Sequence, residues 1–218
     1  MTEINLYKYE NILYEKGINY IAGIDEAGRG PLAGPVVAAA VILKKGAKLK
    51  HVDDSKKLTE NQRKKALEEI KTHALAIGIG ISSVEEIDRI NIYRAAREAM
   101  QSAIKQLKIK PEYLLIDAMP IEIGIPSESI IKGDQKSVSI AAASIVAKTT
   151  RDMYMIEMDK VFPKYNFKQH KGYGTKEHIE LIKKFGFTPI HRKTYEPMKS
   201  MIKEALHKKH KEHTLFDI

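Results

Sequence analysis

The sequence predicts an α/β fold in which helices flank a mixed central sheet. Short apolar runs alternate along the chain with segments of helical periodicity, and the three leading runs are joined by short links. Hydrophobic residues make up 43% of the 218 residues and charged residues 30%. This length and composition suit one compact domain with a sizeable core.

The predicted strands are short apolar segments at 20–25, 35–43, 75–81, 113–116 and 130–131. Glycine alternates with isoleucine in the third segment, which indicates a strand packed closely against a neighbour. Helices are predicted where apolar residues recur at helical spacing, at 4–16, 59–73, 83–107, 138–154, 176–185 and 197–209. Thr59 and Gln62 have the spacing of a capping box, and Asn91 is expected to interrupt the third helix.

The net charge of +9 is concentrated towards the C-terminus. Residues 1–159 carry 23 basic and 22 acidic side chains, whereas residues 160–213 carry 14 basic and 5 acidic ones. We therefore predict a nearly neutral body over 1–159 and a basic, helical C-terminal extension over 160–218. Aromatic residues and glycines lie among the basic residues at 165–174, a pattern typical of surfaces that bind a nucleic-acid backbone. The alternative is a solvated helical surface.

The sequence also excludes several classes of protein. Without cysteine there is no disulfide scaffold, thiolate metal site or cysteine nucleophile, and the chain fits a reducing cytoplasm. The longest apolar run, 35–43, is too short to cross a bilayer, and Met1 precedes a polar segment rather than a signal peptide. His170 and His178 are eight residues apart, so histidine predicts no competing metal site. We expect a cytoplasmic monomer without a membrane anchor.

Several acidic residues follow apolar strands, which makes them candidate metal ligands. Asp25 and Glu26 end the first strand, Asp117 follows the fourth, and Asp134 comes shortly after the fifth. Carboxylates that converge at a sheet edge repel one another unless cations neutralise them. Oxygen ligands favour Mg²⁺ or Mn²⁺ over zinc, and two such ions roughly 4 Å apart suit phosphodiester hydrolysis. For each acid alone the alternative is a turn or a helix cap, and Asp134 in particular could cap the next helix.

The segment EAGRGP, residues 26–31, places two glycines directly after the first acids. The backbones of Gly28 and Gly30 can approach a ligand closely and offer N–H groups to phosphate or hydroxyl oxygens. The segment is neither a P-loop nor a dinucleotide-binding motif, because no Gly-Lys-Ser/Thr follows and Ala33 stands where a third glycine is required. The alternative is a tight turn.

Six sequence blocks resemble bacterial ribonuclease HII, a type 2 ribonuclease H, and occur in that family's order. They are IDEAGRGPLAGPV (24–36), DSKKL (54–58), LIDA (115–118), GD (133–134), SIAAASIVAK (139–148) and HKGYGT (170–175). The resemblance implies a ribonuclease H-like fold and metal-dependent cleavage of the RNA strand in RNA–DNA hybrids. It also implies incision on the 5′ side of single ribonucleotides embedded in duplex DNA.

The resemblance further implies roles for individual residues. The catalytic, metal-binding carboxylates of the family match Asp25, Glu26, Asp117 and Asp134. The backbone segment that recognises the ribose 2′-hydroxyl matches Gly28, Arg29 and Gly30. The tyrosine that stacks near the RNA–DNA junction matches Tyr173, and a position near substrate phosphates matches Lys56. The expected reaction leaves 3′-hydroxyl and 5′-phosphate ends.

Residues on the predicted helix that begins at 138 have structural alternatives. Lys148 and Arg151 could face phosphate or pair with acidic residues, and a structural role is favoured for Arg151 and Asp152. Ser144 has no histidine partner at helical spacing, which favours helix packing over a nucleophilic role.

Two other functions remain as alternatives. One is a different nuclease of the ribonuclease H-like superfamily, such as a junction resolvase, which also uses clustered acids on an α/β sheet. The other is a non-catalytic RNA-binding module that relies on the basic extension.

The last residues, TLFDI at 214–218, resemble the short hydrophobic tails with which replication enzymes dock on a sliding clamp. A sliding clamp is therefore an expected partner. A frayed terminus is the alternative.

Overall fold

The molecule is built around a five-stranded mixed sheet with helices on both faces, as the sequence predicts. The computed structural model describes residues 5–52 and 58–216, with side chains described up to residue 207. The strands are β1 (Ile21–Ala27), β2 (Val36–Leu43), β3 (Ala74–Ser82), β4 (Tyr113–Asp117) and β5 (Ser127–Ile130). In the order β3-β2-β1-β4-β5, β2 is antiparallel to both of its neighbours and β4 is parallel to both of its own.

The helices are α1 (Lys8–Glu15), α2 (Glu60–His73), α3 (Val84–Ile90), α4 (Ile92–Lys105), α5 (Val138–Val161), α6 (Phe167–His170), α7 (Lys176–Phe185) and α8 (Met198–Phe216). Thr59 and Gln62 form the predicted capping box. Asn91 separates α3 from α4, with its side chain capping the first turn of α4. Helix α6 was not predicted. Within the described ranges, no helix is long and apolar enough to cross a membrane.

Strand β2 is buried along its whole length because helices cover both of its faces. Ala38 packs in the cluster that contains α4, and Ala39 packs in the cluster that contains α5 and α2. Gly78 and Gly80 let β3 approach α4, since a Cβ atom at either would lie 2.0 Å from a carbonyl oxygen of that helix. Gly23 does the same for β1 and α5. The alternation of glycine and isoleucine therefore has the predicted cause.

Two strand boundaries differ from the prediction, and pairing explains both. Strand β1 continues to Ala27 because Asp25 and Glu26 pair with successive residues of β2, so these acids lie within the strand. Strand β5 ends near Ile130 instead of beginning there, because residues 127–130 pair with β4.

The C-terminal segment packs onto the sheet-bearing part of the chain. Helix α5 crosses the predicted boundary between residues 159 and 160 without interruption. Ala33 and Met155 share one buried cluster with Phe167, Ile182 and Met198. The division into a body and an extension stays a prediction.

Candidate active site

The acids of β1 and β4 meet because the two strands are parallel neighbours. Ile24 pairs with Ile116 in the ladder, so Asp25 and Asp117 follow at the same level of adjacent strands. Strand β2 pairs with the other side of β1, so β1 and β4 are both inner strands of the sheet. The two acids lie near the carboxyl ends of these strands. The predicted convergence of the strand-associated acids is therefore present for this pair.

Asp134 reaches the same region on a short 3₁₀ turn, Gly133–Gln135, that follows β5. The backbone N–H of Gly133 donates to Oδ1 of Asp117 at 2.7 Å, and the side chain of Asp134 is buried. The alternative role of capping α5 is filled by Ser137, whose hydroxyl accepts the N–H of Ile140. Helix capping therefore does not account for Asp134.

Burial and mutual repulsion raise the pKa values of the acids in β1. Burial raises the pKa of Asp25 well above its ordinary value, and the charges of Glu26 and Asp117 raise it further. Hydrogen bonds from the Ser144 hydroxyl and the Glu26 N–H act in the opposite direction. Burial also raises the pKa of Glu26, although Arg29 lowers it from an Nη1–Oε1 distance of 3.3 Å. Three carboxylates thus share a poorly solvated space.

The chemistry of these acids fits Mg²⁺ or Mn²⁺. Oε2 of Glu26 is buried and accepts no hydrogen bond from any described residue. A cation would supply that oxygen with a partner and relieve its repulsion with Asp25 and Asp117. In the described ranges, no three acidic or histidine side chains are already arranged to hold a metal ion.

The glycine segment after β1 forms a loop, residues 28–35, that leaves two backbone donors unpaired. Gly28 has a φ of +101°, and a Cβ atom there would lie 2.2 Å from Nε of Arg151, so only glycine fits. Arg29 and Gly30 are exposed, and their N–H groups have no acceptor in the part of the chain that the structure describes. The predicted recognition segment therefore has free donors next to the acids of β1.

Tyr173 lies in the loop between α6 and α7 and is joined to the loop at 28–35. Its ring is 42% exposed and lies over the charged groups of Lys148 and Arg151, at 5.6 and 5.7 Å. The carbonyl of Gly172 accepts the N–H of Leu32 at 2.8 Å, which ties the two loops together. Arg151 thus contacts both predicted substrate-binding segments.

The charged residues of α5 have the structural partners that the sequence favoured. Arg151 is fully buried and donates to three backbone carbonyls, two in the loop at 28–35 and one next to Gly172. Lys148 forms a 2.7 Å ion pair with Asp152. Lys56 lies outside the described residues, so its predicted phosphate contact stays a prediction.

Two supporting residues were missed from the sequence. Ser144, assigned only to helix packing, also donates to Asp25. Arg192 is fully buried and donates to the carbonyls of Gly28 and Arg29, which precede it by 164 and 163 residues. No spacing pattern could have connected residues so far apart.

Three histidines form a buried, hydrogen-bonded cluster behind Tyr173. Nε2 of His178 lies 3.0 Å from Nε2 of His191, and the rings of His170 and His178 stack. The Thr188 N–H donates to Nδ1 of His191, so His191 carries its proton on Nε2 and donates to His178. His178 in turn donates from Nδ1 to the carbonyl of Tyr173. His170 donates from Nε2 to the Tyr165 carbonyl and accepts the Gly172 N–H at Nδ1, so all three rings are neutral, with His170 joined to the other two by stacking.

Comparison with known proteins identifies the family. A sequence model of the Ribonuclease HII family matches residues 22–198. The chain belongs to the ribonuclease HII family. It is 56% identical over 204 residues to ribonuclease HII of Acholeplasma laidlawii, a match that covers 94% of this chain and 100% of the relative.

Solved structures of ribonuclease HII type support the same assignment. Ribonuclease H2 of Pyrococcus horikoshii OT3 matches with a TM-score of 0.72 and 26% identity, over 84% of this chain and 97% of that chain. A ribonuclease HII from Archaeoglobus fulgidus, solved in complex with PCNA, matches with a TM-score of 0.69 and 27% identity, over 81% and 95%.

Membership of the ribonuclease HII family confirms the resemblance and the ribonuclease H-like fold. The chain is therefore a ribonuclease H, a hydrolase that cleaves the RNA strand of RNA–DNA hybrids. A non-catalytic RNA-binding module does not describe a member of this family.

Replacing Asp25 with Asn should stabilise the metal-free protein. Because the pKa of Asp25 is higher in the folded state than in the unfolded state, its charge destabilises the fold at neutral pH. In EDTA the Tm should rise, by about 2–4 °C for each kcal/mol of repulsion removed. Mn²⁺ should then raise the Tm of the parent protein more than that of Asp25→Asn. Thermal unfolding followed by circular dichroism measures both effects.

Glu68→Gln provides the control for this comparison, since Glu68 is exposed and pairs only with Lys71 on the helix surface. Its Tm should change little with or without Mn²⁺. A Tm for Asp25→Asn below that of the parent in EDTA would show that the carboxylates do not repel one another.

Mild acid should destabilise the fold through the histidine cluster. Burial and neighbouring histidines lower the pKa of His178 to about 4 and that of His191 to about 3. The unfolded chain therefore binds protons below about pH 6.5 that the folded chain does not. As the pH is lowered from about 6.5 towards about 4, the free energy of unfolding should therefore decrease, by up to about 1.4 kcal/mol per pH unit for each histidine. Urea denaturation at several pH values measures this slope.

His191→Gln should show a shallower fall, because one of the two groups no longer titrates. The acids of β1 contribute with the opposite sign in both proteins, so the difference between the two slopes isolates the histidine. Identical slopes would assign the pH dependence to other groups.

Proposed function

We propose that the chain, besides cleaving the RNA strand of hybrids, incises duplex DNA on the 5′ side of embedded ribonucleotides. The observation that carries the proposal is the pair of free backbone donors, the N–H groups of Arg29 and Gly30, directly after the acids of β1. The 2′-hydroxyl is the group that distinguishes RNA from DNA at a given site. Backbone donors can bind its oxygen whatever the base, which suits recognition of a single ribose.

The proposed mechanism uses two metal ions, Mg²⁺ or Mn²⁺. The residues proposed to hold them are Asp25, Glu26, Asp117 and Asp134. When bound, the ions activate the attacking water and stabilise the charge that develops on the phosphate, and the products carry 3′-hydroxyl and 5′-phosphate ends. Ser144 orients the carboxylate of Asp25, and the N–H of Gly133 orients that of Asp117.

Tyr173 and the basic C-terminal segment are proposed to bind the duplex. The exposed ring of Tyr173 is available to stack at the RNA–DNA junction, with Arg151 fixed beneath it. Lys168 and Lys176 are 67% and 91% exposed and can contact phosphates. In this proposal residues 1–159 bind the ions and cleave, and residues 160–218 hold the duplex.

We further propose that the tail at 214–218 docks on a sliding clamp in a reducing cytoplasm. The tail's resemblance to clamp-docking segments supports this, as does the structural neighbour from Archaeoglobus fulgidus that was solved with PCNA. Helix α8 extends to Phe216, and the last two residues lie outside the described part of the chain.

An end-labelled DNA duplex with one ribonucleotide tests the proposed reaction. Cleavage 5′ of the ribonucleotide should require Mg²⁺ or Mn²⁺ and stop in EDTA. Asp117→Asn should reduce the rate by at least about 100-fold while retaining duplex binding, because the variant loses a metal ligand. Product analysis on a denaturing gel and a binding titration measure both properties.

An all-DNA four-way junction is the matched substrate control, because a junction resolvase would cut it. Cleavage of that junction, or undiminished Mg²⁺-dependent turnover by Asp117→Asn, would contradict the proposal.

Tyr173→Ala should reduce incision at a single ribonucleotide more than cleavage of a continuous hybrid. Stacking of a base on an aromatic ring contributes about 1–3 kcal/mol, so kcat/KM on the single-ribonucleotide duplex should fall about tenfold or more. Tyr173→Phe keeps the ring and should retain most of the activity. Equal losses on both substrates would show that Tyr173 does not sense the junction.

A further inference from the structure

Arg192 is a fully buried cation whose partners are backbone carbonyls. Nη1 donates to the carbonyl of Arg29 at 2.9 Å, and Nη2 donates to that of Gly28 at 2.5 Å. Nε and Nη2 also donate to the carbonyl of Gly34, at 3.0 and 2.8 Å. No carboxylate of the described residues lies within ion-pair distance of this guanidinium. Arg192 therefore holds both ends of the loop at 28–35 from the inside.

Because the peptide bond is planar, these contacts also determine where the N–H groups of the following residues point. In a trans peptide the C=O of one residue and the N–H of the next point in opposite directions. The carbonyl of Gly28 points inward to Arg192, so the N–H of Arg29 points away from it. The carbonyl of Arg29 accepts from Arg192 and from the Tyr195 hydroxyl, so the N–H of Gly30 also points away.

The orientation of these two donors agrees with the rest of the loop. Both residues are exposed, and neither N–H has an acceptor among the residues described. The fork of a guanidinium suits this task because its donors are rigidly planar and can hold two neighbouring carbonyls at once. A positive charge on the carbonyl side also polarises each peptide group, which strengthens its N–H as a donor.

Desolvating the guanidinium of Arg192 costs free energy that the packing of its side chain alone does not offset. Burial lowers the pKa of Arg192, and burial together with the charge of Arg192 lowers the pKa of a second buried guanidinium, that of Arg151. A neutral side chain of similar volume would fill the same space without that cost.

We propose that Arg192 is a positioning residue for ribose recognition, which fixes the N–H groups of Arg29 and Gly30 towards the substrate. Tyr195 assists through the carbonyl of Arg29. The inference rests on the proposed function, since it assigns the 2′-hydroxyl to these two donors. It adds a residue from the C-terminal segment to a recognition element that belongs to the loop after β1.

Binding preference for a ribonucleotide tests the proposal without depending on turnover. The measurement uses the full chain carrying Asp117→Asn, so that Mg²⁺ is present and the duplex stays intact. Fluorescence anisotropy compares two duplexes that differ only in one ribonucleotide. This parent should prefer the ribonucleotide duplex, and adding Arg192→Lys should reduce the preference by about tenfold, as expected for two weakened hydrogen bonds. Binding of the all-DNA duplex should remain.

Ile182→Ala is the matched control for stability, because Ile182 is fully buried in the C-terminal cluster but belongs to α7 and forms no hydrogen bond with the loop or the acids. It should lower the Tm and leave the ribose preference unchanged. Tyr195→Phe removes one hydrogen bond to the Arg29 carbonyl with little change of volume, so it should fold and lose about threefold in preference.

The outcomes separate this inference from the proposed function. A parent with no preference for the ribonucleotide duplex would overturn ribose recognition itself, and the inference with it. A parent with a clear preference that Arg192→Lys and Tyr195→Phe both retain would overturn the positioning role alone. An equal loss of preference in Ile182→Ala would show that the effect is one of stability, which also overturns the role.

Discussion

Mutual repulsion among buried carboxylates is the constraint on which the site depends. Burial raises the pKa values of Asp25 and Glu26, and the charge of Asp117 raises both further, so the three carboxylates would separate if their backbones were free to move. They remain together because β1 and β4 are paired in the middle of the sheet. Helices α4 and α5 bury that part of the sheet, and Gly23 lets β1 approach α5 closely. Apolar packing thus maintains an arrangement that carboxylate repulsion disfavours. A bound cation would attract the same carboxylates and so stabilise the arrangement.

The buried cations nearest the site do not neutralise these acids. The guanidiniums of Arg151 and Arg192 donate hydrogen bonds to backbone carbonyls of the loop at 28–35, and the Tyr173 ring covers one side of Arg151. Arg29, whose side chain is about half exposed, forms an ion pair with Glu26. The two buried guanidiniums thus shape the loop beside the acids instead of pairing with Asp25 or Glu26. Had either guanidinium turned to Asp25, it would have competed with a cation for the same oxygens.

The features that could be predicted from the sequence are those that depend on residues close together in the chain. The capping box at Thr59 and the break at Asn91 each depend on residues within a few positions, and the structure has both as predicted. The contacts of Arg192 and His191 were not predictable in this way. Backbone carbonyls accept hydrogen bonds whatever their side chains, so the partners of Arg192 leave no residue-type pattern to find. Asp134 is an intermediate case, because its burial follows from a turn held by Gly133, which single-sequence patterns do not specify.

The proposed recognition segment directly follows the acids proposed to bind the metal ions, so both belong to one continuous stretch of chain. The β1 acids and the donor at Gly30 are four or five residues apart, and an extended chain covers only about 3.3 Å per residue. The donor at Gly30 therefore lies within roughly 16 Å of the acids, which limits the proposed cut to a few nucleotides from the bound ribose, since nucleotides of one strand follow one another about every 3.4 Å along a duplex. Domain movement cannot change this distance, because both groups belong to one strand and its following loop. In the proposed function, the position of the cut relative to the ribonucleotide therefore depends on β1 and on the loop whose carbonyls Arg192 holds.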